Sequence, residues 1–221
     1  MDERGLRFII DTLSDKYSYR FKWLGRPIIQ LPQDIVKIQE LIWDIQPDFV
    51  IETGIAHGGG LILYASILSL IGKGRVVGID IDLREENEKY IKNHELAPRI
   101  TIVKGSSIDT KVYSEVREIV AGKDKKILVI LDSNHTHAHV LKELLLYSPI
   151  VSVGSYIVVM DTVVEFLPPN SFPDRPWGIG NNPYTAVQSF LQRAKDFSVD
   201  ENIDNQLLIS VAPRGYLRRE K

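Results

Sequence analysis

Short apolar runs alternate along the chain with longer segments in which apolar residues recur every three or four positions. The short runs predict buried strands and the longer segments predict amphipathic helices, so the alternation favours a mainly parallel α/β sheet with helices on both faces. The predicted strands are residues 48–52, 75–80, 99–103, 126–132, 155–160, 197–199 and 206–211. The predicted helices are residues 33–45, 60–71, 84–93, 111–121, 138–147 and 184–194.

The last two predicted strands are joined only by residues 200–205, which leave no room for a crossover helix. We therefore expect an antiparallel hairpin at the end of a seven-stranded, Rossmann-like sheet. Sheet-forming sequence continues after a proline-rich stretch, so we interpret residues 164–182 as a lid loop within a single domain, 1–221, rather than as a linker.

Composition narrows the class of protein. The 221 residues, 44% of them hydrophobic, suffice for one full core, and the net charge of −2 gives no basic footprint for nucleic acid. Arg214, Arg218, Arg219 and Lys221 are interpreted as a solvated terminus. The absence of cysteine excludes disulfides and zinc–thiolate sites. No apolar run approaches the ~18 residues of a membrane span and the chain opens with charges of both signs, so we expect a cytoplasmic protein without a membrane partner.

A glycine-rich turn follows the first predicted strand: Glu52-Thr53-Gly54-Ile55-Ala56-His57-Gly58-Gly59-Gly60. Glycines let the backbone approach a ligand closely, and the next helix offers unpaired N–H groups to an anion. The spacing fits neither a dinucleotide fingerprint nor a P-loop, which favours a ligand without phosphates. The next strand ends at Asp80, a carboxylate that in such folds binds ribose hydroxyls. This pattern resembles class I S-adenosylmethionine (SAM)-dependent methyltransferases. The alternative is a plain strand–turn–helix without a ligand.

Two later strands also end in carboxylates, Asp132 and Asp161. If these strands are neighbours, their carboxyl ends lie roughly 5–10 Å apart, close enough for both side chains to reach one cation. Two hard oxygen ligands plus water suit Mg²⁺ or Ca²⁺. The alternative is that one or both acids cap the element that follows.

A set of ordered motifs carries a narrower resemblance. The motifs are residues 21–34, 39–42, 47–59, 131–135, 154–162 and 213–219. Over residues 18–219 the chain resembles the cephalosporin hydroxylase and rhamnosyl O-methyltransferase family of class I methyltransferases. The resemblance implies SAM and Mg²⁺ as cofactors, a hydroxyl acceptor on a small molecule such as a sugar or polyketide, and a homo-oligomer.

The same resemblance implies positions for the cofactor. Residues 1–46 and the lid would cover the site, the ribose would lie on Asp80, and the adenine near Ser107, for which a helix N-cap is the alternative. The remaining implied cofactor contacts are Glu52, Gly54, His57, Gly58, Gly59, Gly60 and Asp132.

The implied metal ligands are Asp132 and Asp161, with a neutral oxygen from Thr162. Relatives commonly present a glutamate at the position of Met160, and a thioether is a poor ligand for a hard cation. A non-catalytic SAM-binding subunit is therefore the main alternative function. An NAD-dependent oxidoreductase is disfavoured by the glycine spacing, and a hydroxylase by the absence of an iron-binding His-x-Asp motif.

Three histidines follow Asp132 closely. His135 occupies the position of the general base in sugar-methylating relatives, and an imidazole suits removal of a proton from a hydroxyl near neutral pH. His137 is a second candidate. His139 is expected to face solvent.

Overall fold

The computed structural model describes residues 2–221. A small antiparallel hairpin, β1 (Phe21–Trp23) and β2 (Arg26–Ile28), precedes a seven-stranded sheet. The strands of that sheet are β3 (Phe49–Thr53), β4 (Arg75–Asp80), β5 (Ile100–Lys104), β6 (Ile127–Leu131), β7 (Tyr156–Val159), β8 (Phe197–Val199) and β9 (Tyr216–Arg219). Their order is β5-β4-β3-β6-β7-β9-β8, with β3 to β7 parallel and β9 antiparallel to both of its neighbours. The predicted Rossmann-like fold class is confirmed.

Helices cover both faces of the sheet. They are α1 (Glu3–Leu13), α2 (Pro32–Ile45), α3 (Gly59–Ile71), α4 (Glu85–Lys92), α5 (Thr110–Ile119), α6 (His137–Tyr147), α7 (Pro183–Arg193) and α8 (Glu201–Gln206). Successive strand residues point to opposite faces, so Val50 joins the apolar cluster under α2 and α3 while Ile51 joins the cluster under α5, α6 and α7. No helix among residues 2–221 is both long and apolar enough to cross a membrane.

The order of the strands positions the site. The chain builds outward from β3 through β4 to β5, and then returns to place β6 on the other side of β3. The carboxyl ends of β3 and β6 therefore flank the point where the strand order reverses, which is where open α/β sheets bind ligands. The glycine-rich turn follows β3, and Asp132 follows β6.

The prediction of a final strand at residues 206–211 is wrong. Residues 201–206 form α8, whose first turn is capped by the Asp200 side chain, and the last strand is β9 instead. The segment after α8 is held by a buried carboxylate, because Asp34 of α2 accepts hydrogen bonds from the Ser210 hydroxyl at 2.6 Å and the Val211 amide at 2.9 Å. The Tyr216 hydroxyl donates to the same carboxylate at 3.0 Å.

The C-terminal residues are not a solvated tail. Tyr216 and Leu217 are buried as β9 inserts between β7 and β8. The Arg219 guanidinium donates to the carbonyl of Val151 at 2.6 Å and lies 3.4 Å from the Asp196 carboxylate. Arg218 and Lys221 are exposed, so the prediction of a solvated terminus holds for these two side chains.

Candidate active site

The turn after β3 is built around its glycines. Gly54 has φ +86°, and a Cβ there would lie 2.1 Å from the carbonyl oxygen of Asp132. Gly58 has φ +82° at the start of α3, where a Cβ would meet the side chain of Ile91 at 2.6 Å. Only glycine combines this backbone conformation with such close neighbours. The turn therefore brings the end of β6 and the N-terminus of α3 together.

Glu52 lies beneath this turn and is 3% exposed. Its Oε1 accepts a hydrogen bond from the Tyr64 hydroxyl at 2.7 Å, and a Cβ on Gly60 would lie 2.4 Å from the same oxygen. Burial raises the pKa of Glu52 to about 8, although the bond from Tyr64 opposes the rise. The residue is therefore a largely protonated acid at neutral pH until a positive group approaches it.

A cavity of about 30 Å³ lies against the turn, lined in part by Gln30, Glu52 and Asp132. Gln30, at 7% exposure, donates its Nε2–H to Oδ2 of Asp132 at 3.0 Å. Oε1 of Gln30 and Oε2 of Glu52 are buried without a hydrogen-bond partner among the described residues. Buried acceptors left unpaired are costly, so the cavity is built for a ligand that brings hydrogen-bond donors.

Asp80 shapes the neighbouring wall of the site. Its Oδ2 accepts hydrogen bonds from the backbone amides of Ile55 at 2.8 Å and Ala56 at 3.3 Å, and its Oδ1 accepts one from Asp82 at 2.8 Å. The carboxylate is partly exposed at the end of β4. Asp80 thus holds the glycine turn in place, and its role toward a ribose stays a prediction.

The hairpin of β1 and β2 contacts the glycine-rich turn through Arg26. The Arg26 guanidinium donates to the carbonyl of His57 at 2.8 Å and to Oδ1 of Asn87 at 2.8 Å, and it stacks over the Tyr90 ring at 4.4 Å. Asn87 in turn donates to the carbonyl of Ala56 at 2.9 Å. In this structure the backbone carbonyl of His57 accepts the hydrogen bond from Arg26 that holds the turn, and His57 also lines the cavity.

The two predicted carboxylates meet beside the cavity. β6 and β7 are adjacent parallel strands, and Asp132, His135 and Asp161 each offer a ligand atom within 4.8 Å of the others. Nε2 of His135 lies 3.3 Å from Oδ2 of Asp161. Burial raises the pKa of Asp132, and the charges of Asp161 and Glu52 raise it further. A cation would relieve this crowding of negative charge.

The structure does not support the alternative in which Asp132 or Asp161 caps the element that follows it. Thr136 occupies the N-cap of α6, and Asp161 makes no side-chain capping bond to the short 3-10 helix that follows it. Asp161 has φ +55°, a left-handed conformation that Asp and Asn adopt more readily than other side chains. Both carboxylates are therefore available to a ligand.

Thr162 has a different partner from the one predicted. It is fully buried, and its hydroxyl donates to the carbonyl of Pro213 at 2.6 Å, which fixes the loop before β9. The third side chain that the fold brings to the two carboxylates is His135 rather than Thr162. Met160 is 1% exposed and belongs to the apolar cluster under α2 and α3.

The lid contacts the candidate base directly. The Trp177 ring packs edge-to-face with the His135 imidazole, with ring centroids 4.8 Å apart and planes at 86°. The Arg175 guanidinium lies over the Trp177 ring, 5.2 Å from its centroid. The end of the lid is anchored because Oδ1 of Asn181 accepts the His137 amide at 3.0 Å. The His137 ring itself contacts the Thr185 hydroxyl at 2.8 Å, away from the carboxylates.

A buried polar network occupies the region predicted for adenine. Nε2 of His139 lies 3.1 Å from the hydroxyls of both Ser107 and Ser133, and Ser133 donates to the buried Glu143 at 2.7 Å. The Tyr147 hydroxyl donates to the carbonyl of Ser107 at 2.9 Å. The expectation that His139 faces solvent is therefore wrong, because α6 turns it inward toward β5.

The N-cap of α5 is Asp109, whose side chain accepts the Lys111 amide at 2.7 Å, so Ser107 is not a cap. Glu143 is a residue that the sequence analysis missed, although a carboxylate on the apolar face shared by Val140, Leu144 and Tyr147 is a detectable signal.

Gln30, Arg26 and Asn87 were also missed, and they carry no comparable signal. Each of them contacts a partner that is distant in the sequence; Gln30 and Asp132, for example, are separated by 102 residues. The local pattern of apolar and polar residues does not predict such long-range pairs.

Comparison with known proteins assigns the chain to a family. The sequence profile of "Rhamnosyl O-methyltransferase/CmcI" matches residues 15–220. A rhamnosyl O-methyltransferase of Mycobacterium tuberculosis (strain ATCC 25618 / H37Rv) is 31% identical over 193 residues, which is 84% of this chain and 73% of that protein. A rhamnosyl O-methyltransferase of Mycobacterium leprae (strain TN) is 26% identical over 200 residues, 90% of this chain and 82% of that protein.

Solved structures share the fold. A structure described as "cmcI-D160 Mg-SAM" superposes with a TM-score of 0.63 at 19% identity, covering 92% of this chain and 78% of that chain. The MycE methyltransferase of the mycinamycin biosynthetic pathway, in complex with Mg and SAH, superposes with a TM-score of 0.57 at 17% identity over 96% of this chain and 53% of that one. The resemblance stated from the sequence motifs is confirmed: this chain belongs to the rhamnosyl O-methyltransferase/CmcI family and is an O-methyltransferase by class.

Proposed function

We propose that this protein transfers the methyl group of SAM to a hydroxyl of a small molecule, with the assistance of a divalent cation. The observation that carries the proposal is the double position of Asp132, which lines the cavity at the glycine turn and also belongs to the cluster with His135 and Asp161. A methyl donor in the first site and an acceptor oxygen at the second would be neighbours. Such orientation supplies much of the rate enhancement in a bimolecular transfer.

The residues of the turn fit SAM. The unpaired acceptors of Glu52 and Gln30 suit the α-ammonium of its methionine part, and the N-terminus of α3 suits the carboxylate. Asp80 suits the ribose, and the Ser107 network suits the adenine edge. The cluster of Asp132, His135 and Asp161 fits a divalent cation, Mg²⁺ in this proposal, because it offers two hard oxygens in a crowded negative field.

When bound, SAM would supply an activated methyl group and the cation would withdraw charge from the acceptor hydroxyl. Asp132 and Asp161 would hold the cation, and the imidazole of His135 would take the proton of the acceptor hydroxyl. The Asp161 carboxylate, 3.3 Å from Nε2, would stabilise the resulting positive charge. Trp177 and the lid exclude water and orient the acceptor against His135.

The names of the relatives support a proposal for the acceptor class. Their name specifies a rhamnosyl group, and we propose a sugar hydroxyl as the acceptor here, with polyketide and other natural-product hydroxyls as neighbouring possibilities. A homo-oligomer stays a prediction. The non-catalytic alternative is not favoured, because the base position and both carboxylates are present and assembled.

Titration with S-adenosylhomocysteine (SAH), with and without Mg²⁺, tests the cofactor and metal together. Transfer of a labelled methyl group from SAM to an alkyl rhamnoside tests the reaction. We expect SAH to bind, and methyl transfer to require added divalent cation and to stop in the presence of a chelator. Failure to bind SAH would overturn the proposal. Binding of SAH with no transfer to any sugar, polyketide or catechol hydroxyl would instead support the non-catalytic subunit.

A further inference from the structure

Gln30 occupies a position between the two halves of the site. It lies just beyond β2, and its amide spans from the Asp132 carboxylate to the cavity under the glycine turn. The nitrogen faces Asp132, where an amide oxygen would be repelled by the carboxylate. The oxygen is buried and unpaired, as is Oε2 of Glu52, and both residues line the cavity.

We propose that Gln30 is a positioning residue that binds the ammonium group of the cofactor through Oε1 and holds the metal-facing carboxylate of Asp132 through Nε2. This inference rests on the proposed function and assigns to it a residue from the N-terminal segment. Two unpaired oxygens on residues that line one small cavity suit a donor with more than one N–H, and an ammonium offers three. A neutral amide can serve both partners at once because it has a donor and an acceptor at opposite corners.

The arrangement also gives Asp132 a fixed orientation. A carboxylate that ligates a metal is commonly held by a hydrogen bond from a second residue, and loss of that bond weakens metal binding about tenfold or more. Among the described residues, Gln30 is the side chain that donates a hydrogen bond to Asp132. Replacement of Gln30 is therefore expected to affect both ligands, through two different bonds of one side chain.

The test compares Gln30→Met, which keeps the length of the side chain and removes both bonds, with the control Gln33→Met. Gln33 lies three residues away in α2 and is also a glutamine with an unpaired buried oxygen, but it does not line the cavity. The probes are SAH and 5′-methylthioadenosine, a compound that lacks the amino-acid part. A bond to a charged group predicts that Gln30→Met weakens SAH binding about tenfold or more, while binding of methylthioadenosine changes less than about twofold.

Mg²⁺ binding without nucleoside is measured in the same three proteins. We expect weakening of about tenfold in Gln30→Met and no change in Gln33→Met. Equal weakening of SAH and methylthioadenosine would show a merely structural role and overturn the inference, and so would unchanged binding of SAH. Failure of the unmodified protein to bind SAH would instead refute the proposed function. Unchanged binding of Mg²⁺ alone would overturn the role toward Asp132.

Discussion

The hydroxyl of Tyr64 donates a hydrogen bond of 2.7 Å to the buried carboxyl group of Glu52. Tyr64 holds Oε1 of that group, Oε2 is buried without a hydrogen-bond partner among the described residues, and Glu52 lines the cavity under the glycine turn. Burial nevertheless raises the pKa of Glu52 to about 8, so at pH 7 the ligand-free protein carries a proton there. An ammonium group placed against Glu52 favours its ionised form, because opposite charges at short range lower a carboxyl pKa.

The first prediction concerns this proton. Binding of SAH below pH 8 should release up to one proton from Glu52, and its dissociation constant should fall by up to about tenfold per pH unit as the pH rises from 6 toward 8. Calorimetric titrations at pH 7 in two buffers of different ionisation enthalpy measure the released proton. Glu52→Gln is the control, since it keeps the contact with Tyr64 and cannot ionise. Equal proton release in that variant would show that another group is responsible.

The second prediction concerns the ribose. Asp80→Ala should weaken SAH binding by roughly tenfold to a hundredfold, since it removes charge-assisted hydrogen bonds worth ~1.5–3 kcal/mol and also the acceptor for the amide of Ile55. Asp82→Ala is the matched control, because Asp82 is an exposed acid two residues away and should leave binding within about threefold. An unchanged dissociation constant in Asp80→Ala would remove Asp80 from the cofactor site.

The third prediction distinguishes the role of Asp132 as a metal ligand from the role of His135 as a general base. Asp132→Ala should abolish binding of Mg²⁺, whereas His135→Ala should retain the metal and lose about 10²–10⁴ in turnover. Metal binding is measured by calorimetry and turnover by methyl transfer to an alkyl rhamnoside. Because Nε2 of His135 lies 3.3 Å from Asp161, a metal-binding role is geometrically open to it. Loss of metal in His135→Ala would show that the imidazole is a ligand, and the proton would then need another acceptor.

Much of the fold is predictable because its central strands are buried on both faces. All five residues of β6 are apolar, and β3 and β4 each contain three apolar residues, so their positions follow from the sequence to within a residue or two. β9 was missed because only Tyr216 and Leu217 of its four residues are apolar. Its place between β7 and β8 depends on partners distant in the chain, and the Asp34 contact removes residues 210–211 from strand formation.

The residues of the candidate site also divide into those that the sequence predicts and those that only the tertiary structure reveals. Asp132, His135 and Asp161 could be predicted to lie together, because they follow the ends of two parallel strands that are consecutive in the chain. The role of Thr162 could not, since the short helix after Asp161 turns its hydroxyl toward Pro213. Adjacent residues at the end of a strand have no fixed alternation, so only the tertiary structure decides which of them faces the ligand.

The fourth prediction concerns the carboxylate under the C-terminal segment. Burial outweighs three hydrogen bonds and raises the pKa of Asp34 to about 6. A carboxyl group whose pKa is raised on folding stabilises the protein fully below its ordinary pKa, and this contribution is lost as the pH rises through the folded value. The free energy of unfolding should therefore fall by about 3 kcal/mol between pH 4 and pH 7, relative to Asp34→Asn. Urea titrations across that range measure the difference. A constant difference between the two proteins would show that Asp34 ionises normally.

The last prediction concerns Met160, the position at which the family resemblance implies a glutamate. The side chain is 1% exposed and packs in the apolar cluster under α2 and α3. Met160→Glu should therefore bury an unpaired carboxylate, lowering the free energy of unfolding by about 3 kcal/mol or more without tightening Mg²⁺ binding. Met160→Leu conserves volume and should cost less than about 1.5 kcal/mol. Denaturant unfolding and metal titration of both variants test this. A glutamate variant that is as stable as the leucine variant and binds Mg²⁺ more tightly would show that position 160 reaches the cation.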